Sequence, residues 1–100
     1  MTPVKPQAIQ KATRMLKAVA HPARIEIISL LVKEKSLSVG EIQTRLNISQ
    51  SMTSQHLSAL KNVGIIACEK DANVCNYFIL NRNILKLIDC VTRCASDHQL

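Results

Sequence analysis

Residues 37–64 carry the pattern of two short helices joined by a tight turn, and this pattern constrains the fold more than any other feature of the chain. Ser38 and Glu41 have the spacing of a capping box, in which each side chain bonds the backbone N–H of the other residue. Asn47 suits the left-handed position that ends a helix, and Ser49 is a typical N-cap for the next helix. A short turn between two capped helices predicts a helix-turn-helix.

The second helix of this unit is predicted over residues 50–63, ending at Gly64. Thr53, Leu57 and Leu60 recur at helical spacing and form its inner face. The outer face holds short hydroxyls and amides with almost no acid, although a solvated helix face usually prefers charged residues. Such side chains can hydrogen-bond base edges and phosphates in a major groove, so they favour DNA as the partner over an ordinary exposed polar face.

Two short runs rich in β-forming residues follow the second helix, at positions 65–70 and 75–80. The four residues between them, Asp71-Ala72-Asn73-Val74, suit a hairpin turn. A helix-turn-helix over 38–63 with a hairpin wing over 65–80 predicts a mostly α fold with a small β-hairpin. The predicted architecture is a winged helix-turn-helix, in which four helices precede the hairpin and a fifth follows it.

The last predicted helix, over residues 82–96, carries an apolar seam. Ile84, Ile88, Val91 and Ala95 recur along it at steps of four, three and four, as in a heptad repeat. A seam of this kind on a terminal helix can serve either the core of the monomer or a partner helix.

Length and charge fit one small domain with a polyanionic partner. We interpret the 100 residues as a single domain, 1–100, near the size at which oligomerisation helps to complete a core. The 13 Lys and Arg against 7 Asp and Glu give a net charge of +6, which favours nucleic acid or an anionic membrane surface. No run approaches the roughly 18 to 20 apolar residues of a transmembrane helix and no signal peptide is visible, so we expect a cytoplasmic protein without a membrane partner.

Several runs of residues between about positions 8 and 95 match a known family. They are LKAVAHPARI at 16–25, LSVGEI at 37–42, LNISQS at 46–51, SQHL at 54–57, LK at 60–61, GII at 64–66, and the strand around Tyr77 and Phe78. In these runs the chain resembles the ArsR/SmtB (arsenic-repressor) family of bacterial transcriptional regulators. The resemblance implies a homodimeric, sequence-specific DNA-binding regulator, expected to be a repressor and not an enzyme.

Eight residues are predicted to contact double-stranded DNA: Ser49, Gln50, Ser51, Ser54, Gln55, His56, Lys61 and Lys70. The first three lie at a helix start, where free N–H groups and the helix dipole favour phosphate. Ser54 and Gln55 are the candidates for base contact, because Gln pairs bidentately with adenine. The family often carries Arg where this chain has Gln55, which argues against guanine readout there. His56 is expected to serve phosphate or packing, and the two lysines to touch phosphate.

The family pairs its first and last helices across a two-fold axis. The resemblance therefore implies that the helices over 7–20 and 82–96 form a dimer interface. The residues predicted for this interface are Leu16, Val19, Ile84, Ile88 and Val91. A symmetric dimer would place two recognition helices in successive major grooves of a palindromic operator.

Four cysteines in 100 residues are many for a cytosolic domain, where thiols suggest metal or redox chemistry. Cys68 and Cys75 fall on the two wing strands. Cys90 and Cys94, with His98, recur every fourth residue along one face of the last helix and are the candidate thiol sensor. The alternative is that these cysteines act as small buried hydrophobic residues beside an interface.

The metal sites known in the family are not matched here, so no metal and no cofactor is predicted. Ser38 and Gly40 stand where the family's thiolate site has Cys, and Val91 stands where the last-helix site has a His two places after Asp89. With two Gly in the chain there is also no Gly-rich phosphate loop that would indicate an enzyme. The alternative function is a winged-helix protein-interaction module, such as an antirepressor without its own operator. Steep salt dependence would favour DNA binding over that alternative.

Overall fold

The computed structural model describes residues 3–98, apart from the side chain of His98, and contains five helices and a small antiparallel sheet. In chain order the elements are α1 (Pro6–Val19), α2 (Pro22–Glu34), β1 (Leu37–Ser38), α3 (Val39–Leu46), α4 (Gln50–Asn62), β2 (Ile66–Asp71), β3 (Val74–Ile79) and α5 (Asn83–His98). The predicted winged helix-turn-helix is confirmed: α3 and α4 form the helix-turn-helix, and β2 and β3 form the wing.

The sheet has three strands in the order β1-β3-β2, and all neighbours are antiparallel. The wing strands pair from Ile66 opposite Ile79 to Asp71 opposite Val74, which leaves a two-residue turn. Ala72 occupies this turn with φ of 59°. The sequence pattern did not predict β1, because a two-residue strand is too short to show an alternation.

The core is aliphatic and centres on α2. Its buried members are Val19, Ile27, Ile28, Leu31, Leu37, Ile42, Leu57, Leu60, Ile65, Ile66, Ile79 and Ile84. They come from all five helices and all three strands, so the elements share one core. Burial of aliphatic side chains contributes roughly 25 cal/mol per Å² of apolar surface removed from water.

The predicted capping box at the start of α3 is present. The Ser38 Oγ accepts a hydrogen bond from the Glu41 N–H (3.2 Å), and the Glu41 carboxylate accepts from the Ser38 N–H (2.9 Å). The hydrogen bond from the Ser38 N–H to the carboxylate favours the charged form, as does the nearby Ser38 hydroxyl, and together they lower the pKa of Glu41 below its usual value. The helix ends at Asn47, whose φ of 54° is the predicted left-handed conformation. This fixes where the turn into α4 begins.

Among the helices of residues 3–98, none combines the length and the apolar character needed to cross a membrane.

Candidate nucleic-acid interface

The recognition helix α4 is fixed in place by its buried inner face. Thr53, Leu57 and Leu60 are buried in the core beneath it. The Thr53 hydroxyl donates to the carbonyl of Ser49 (2.9 Å), which satisfies this buried polar group within its own helix. Ser49 also caps the helix, because its Oγ accepts from the Met52 N–H (3.1 Å). The inner face therefore determines which side chains the helix presents to solvent.

The opposite face of α4 presents the polar residues that the sequence singled out. Gln50, Ser51, Ser54 and Gln55 are all exposed. They occupy the first two turns, where the helix dipole and unpaired N–H groups favour an anion. No acidic residue lies in the first turn of the helix. Hydroxyls and amides arranged in this way can bind phosphate oxygens and the edges of bases.

Two lysines lie at the borders of this face. Lys61 is exposed in the last turn of α4, and Lys70 is exposed on β2 near the tip of the wing. Side chains alternate across a strand, so Lys70 stands on the opposite face of β2 from its neighbours Glu69 and Asp71. Both lysines are therefore exposed cations, one on the recognition helix and one on the wing.

His56 was predicted to serve phosphate or packing, and its burial contradicts the phosphate contact and agrees with packing. Its side chain is 3% exposed and lies under α4, toward the junction of α1 and α2. The Nδ1 atom of His56 accepts a hydrogen bond from Nε of Arg24 (3.1 Å), and its ring lies 4.5 Å from the ring of His21. The sequence pattern placed His56 next to exposed polar residues, but its helical position turns it inward. His56 is a packing residue.

The environment of His56 disfavours its protonation. Burial lowers the pKa of His56 below the usual 6.5, and the nearby His21 and Arg24 lower it further. Because Nδ1 accepts from Arg24, the proton of the neutral ring lies on Nε2. That Nε2 atom is buried and has no hydrogen-bond partner among the described residues. His56 is therefore held as a neutral imidazole in the core.

An apolar groove lies between α1 and α5, and no residue of α4 lines it. It has a volume of about 270 Å³, and its lining is almost entirely apolar. Leu16 from α1 and Val91 from α5 border it, and they are 49% and 56% exposed. Leu87, which was not among the predicted interface residues, is also exposed beside them. A continuous exposed apolar surface of this kind is typical of a protein–protein contact.

The predicted dimer residues divide into two groups in the structure. Leu16 and Val91 are exposed, and Ile88 is half-buried at the groove. Ile84 is 6% exposed and belongs to the core of the chain, so its assignment to the interface is wrong. Val19 is 7% exposed and forms the floor of the groove, so it too serves mainly the core. A heptad-like repeat does not distinguish a residue of the core from a residue of a dimer interface. The same apolar stripe of α5 packs into the core at Ile84 and borders the groove at Ile88 and Val91.

The four cysteines also form two groups. Cys68 and Cys75 are joined as a disulfide across the wing, with their Cα atoms 5.8 Å apart. Cys90 and Cys94 are exposed on α5 and form no disulfide within the described chain. The side chain of His98, which was placed on the same face, lies outside the described residues. Within the part of the chain described, no group of three or more His, Cys, Asp or Glu residues is arranged to hold a metal ion.

The fold and this polar face define a winged helix-turn-helix protein of the DNA-binding class, and comparison with known proteins specifies the family. The sequence profile described as "Bacterial regulatory protein, arsR family" matches residues 21–67. The transcriptional activator HlyU of Vibrio cholerae is 36% identical over 83 residues, which span 83% of this chain and 76% of HlyU. The chain belongs to the ArsR family of bacterial transcriptional regulators. This membership confirms a role in transcription regulation rather than catalysis.

Solved structures show the same architecture. HlyU from Vibrio cholerae aligns with a TM-score of 0.78 at 33% identity, covering 90% of this chain and 97% of that one. NolR from Sinorhizobium fredii aligns with a TM-score of 0.80 at 30% identity, covering 94% of this chain and 96% of that one. A homodimeric winged helix-turn-helix DNA-binding domain from Mycobacterium bovis shares the fold, with a TM-score of 0.84 at 24% identity over 99% of this chain and 94% of that one.

Proposed function

We propose that the protein is a homodimeric repressor that binds a palindromic operator in the cytoplasm. The observation that carries this proposal is the acid-free polar face of α4, which Thr53, Leu57 and Leu60 hold outward from the core. Gln50, Ser51, Ser54 and Gln55 on that face have the donors and acceptors needed in a major groove.

Each side chain at the interface has a role that follows from its position. The start of α4, at Ser49, Gln50 and Ser51, binds phosphate and orients the helix. Ser54 and Gln55 lie one turn further on and read base edges, with adenine as the expected partner of the Gln amide. Lys61 and Lys70 bind backbone phosphates on either side, and so add affinity without sequence preference.

The apolar groove between α1 and α5 supports the dimer. Leu16, Leu87 and Val91 expose apolar surface there, and a second copy of the chain would cover it. The M. bovis domain of the same fold is described as homodimeric. A two-fold axis at this groove would relate the α4 helices of the two subunits. Two recognition helices related in this way can bind half-sites about one helical turn of DNA apart.

Repression is the regulatory direction we propose, because a dimer that occupies an operator can block transcription by its presence alone. HlyU is named an activator, so members of this similarity group need not act in one direction. A thiol response through Cys90 and Cys94 is a further part of the proposal. Both thiols are exposed on α5, the helix that carries Val91 at the groove, so oxidation there could act on the proposed dimer contact.

The test is selection of bound sequences from a random duplex pool with the reduced protein, repeated after peroxide treatment. From the reduced protein we expect a palindromic motif, bound less tightly as salt rises because counterions are released. Loss of this motif after peroxide treatment would support the thiol response of Cys90 and Cys94, whereas a motif that peroxide leaves unaffected would overturn it. A Ser54→Asp variant should lose the motif, because it places a carboxylate against the DNA. The matched control is Ser96→Asp, which adds the same charge at an exposed position on a different helix, α5.

The outcomes separate the two classes of function. A palindromic motif, together with a reporter that is switched off by the protein, would support the repressor. A reporter that is switched on would keep DNA binding and overturn repression. No motif at any salt concentration would overturn the operator and favour the protein-interaction module.

A further inference from the structure

The wing contains a pair of cysteines that bridges its free tip to its root. Cys68 on β2 lies opposite Tyr77, and Cys75 on β3 lies opposite Lys70, so the two cysteines are diagonal neighbours. Their Cα atoms are 5.8 Å apart. This is closer than the roughly 7–8 Å of an ordinary diagonal pair. It lies within the roughly 4.4–6.8 Å that a disulfide requires.

The two cysteines lie on either side of the point at which the sheet changes from three strands to two. β1 pairs with β3 at Tyr77 and Asn76, so the sheet has three strands at its root. Beyond Asn76 the wing has two strands, and an isolated two-stranded hairpin is only marginally stable. Cys75 lies in this two-stranded part next to Asn76, with Val74 between it and the turn. A bond from Cys75 to Cys68 therefore ties the tip to the root.

The same bond lies next to the wing lysine. Side chains alternate across a strand, so Cys68 and Lys70 stand on one face of β2, and Cys75 stands on the paired face of β3. Lys70 is directly opposite Cys75 and is exposed. Restraint of Cys75 therefore restricts the backbone that carries the proposed phosphate contact.

We propose that Cys68 and Cys75 are a reversible redox modification site, and that their oxidation by a peroxide tightens DNA binding by ordering the wing. The effect on affinity rests on the proposed DNA-binding function, whereas the modification site does not. The direction follows from preorganisation: a wing already held in its binding conformation loses less conformational freedom on binding DNA. Disulfides in cytosolic proteins are usually transient and redox-sensing, which agrees with a regulatory rather than a structural bond.

The chemistry balances with hydrogen peroxide as the oxidant. One cysteine thiolate attacks a peroxide oxygen, so that an S–O bond forms, the O–O bond breaks, and the leaving hydroxide is protonated to water. The second thiolate attacks the sulfenic sulfur, so that the S–S bond forms and the S–O bond breaks, releasing a second water. Two thiols lose two electrons, and the peroxide gains them. A dithiol reductant reverses the change by exchange through a mixed disulfide.

The test uses the full chain with Cys90→Ser and Cys94→Ser, so that the wing pair contains the remaining thiols. Its matched control carries Cys68→Ser and Cys75→Ser in addition. Each protein is reduced or treated with hydrogen peroxide and digested with trypsin under non-reducing conditions. Trypsin cuts after Lys61, Lys70 and Arg82, so peptides 62–70 and 71–82 remain joined only if the disulfide has formed. Affinity for the selected operator is measured on the same samples.

We expect joined peptides after peroxide treatment and a Kd that falls roughly threefold to tenfold, reversed by dithiothreitol and absent in the control. Separate peptides after treatment would overturn the modification site. Joined peptides with an unchanged or raised Kd would overturn the effect on the wing. If neither redox form bound any duplex, the proposed function and the affinity effect would both fail, whereas joined peptides would still establish the site.

Discussion

The Nε atom of Arg24 donates a hydrogen bond of 3.1 Å to Nδ1 of His56, and this bond joins the start of α2 to the middle of α4. The same guanidinium donates to the carbonyl of Ala18 near the end of α1 (3.2 Å). One side chain therefore connects three helices beneath the recognition face. The orientation of α4 depends on this contact as well as on its apolar inner face.

His56 makes the stability of the fold depend on pH. Burial and its cationic neighbours lower the pKa of His56 in the folded chain below 6.5. Above the pKa that His56 has in the unfolded chain, the imidazole is neutral in both states. Its titration then leaves the free energy of unfolding unchanged. As the pH falls below about 6.5, the unfolded chain binds the proton more readily than the folded chain does, so stability decreases. For one group the slope is at most about 1.4 kcal/mol per pH unit.

Urea unfolding of the wild-type chain and of His56→Asn between pH 7.5 and 5 measures this effect. The Asn side chain can accept from Arg24 through its amide oxygen but does not titrate. We expect the variant to be less stable than the wild type at neutral pH and to lose less stability on acidification. Parallel pH profiles for the two proteins would show that His56 is not the titrating group.

A Val91→Asp substitution should split the proposed dimer. Val91 is 56% exposed at the groove between α1 and α5, so in the monomer the carboxylate would stay in water. In a dimer it would be buried opposite apolar surface without a partner, which is strongly unfavourable. Sedimentation should therefore show a monomer, with loss of operator binding and little change in the circular dichroism spectrum.

The control for this change is Leu80→Asp. Leu80 is 57% exposed after β3 and lines neither the groove nor the adjoining cavity between α2 and α5. We expect this variant to remain dimeric and to bind the operator normally. A Val91→Asp protein that sedimented as a dimer would place the interface elsewhere.

Local signals in the sequence predicted most of the fold. The capping box at Ser38 and Glu41, the left-handed Asn47 and the Ser49 cap each depend on residues within one turn, and each is present in the structure. The inner face of α4 was also predicted, because the helical spacing of Thr53, Leu57 and Leu60 is enough to place them on one face. The β1 strand was not predicted, since its pairing partners lie about forty residues away on β3.

The candidate site was predicted less completely, because burial depends on tertiary packing. Periodicity placed Ile84 on an apolar seam but could not show that this residue packs into the core. For the same reason, periodicity could not decide whether His56 contacts phosphate or packs beneath α4. The pairing of Cys68 with Cys75 required the register of the hairpin, which is set by the position of the two-residue turn. From the sequence, it was predicted only that the two cysteines lie on the two strands of the wing.

Replacement of Gln55 tests base readout. A bidentate pair between Gln and adenine discriminates against other bases by about 1–3 kcal/mol, and Ala makes no such pair. We therefore expect Gln55→Ala to relax the selected motif at one position in each half-site while the remaining positions are retained. Competition between duplexes that differ at that position measures the change. Gln10→Ala, at an exposed position on α1, is the control and should leave the motif unchanged. An unaltered motif from Gln55→Ala would remove this residue from base recognition.

Replacement of Lys70 tests the wing, and the expected result differs from that at Gln55. A lysine bound to phosphate releases about one counterion, so the dependence of log K on log salt becomes shallower by about 0.9 for each phosphate that the protein no longer neutralises. A dimer has two wings, so Lys70→Gln should reduce the slope by about two and weaken specific and non-specific duplexes alike. Fluorescence anisotropy titrations at several salt concentrations measure both quantities. Lys86→Gln removes the same charge from an exposed position on α5 and controls for net charge. An equal change in slope for the two variants would mean that long-range charge, and not phosphate binding by the wing, accounts for the effect of Lys70.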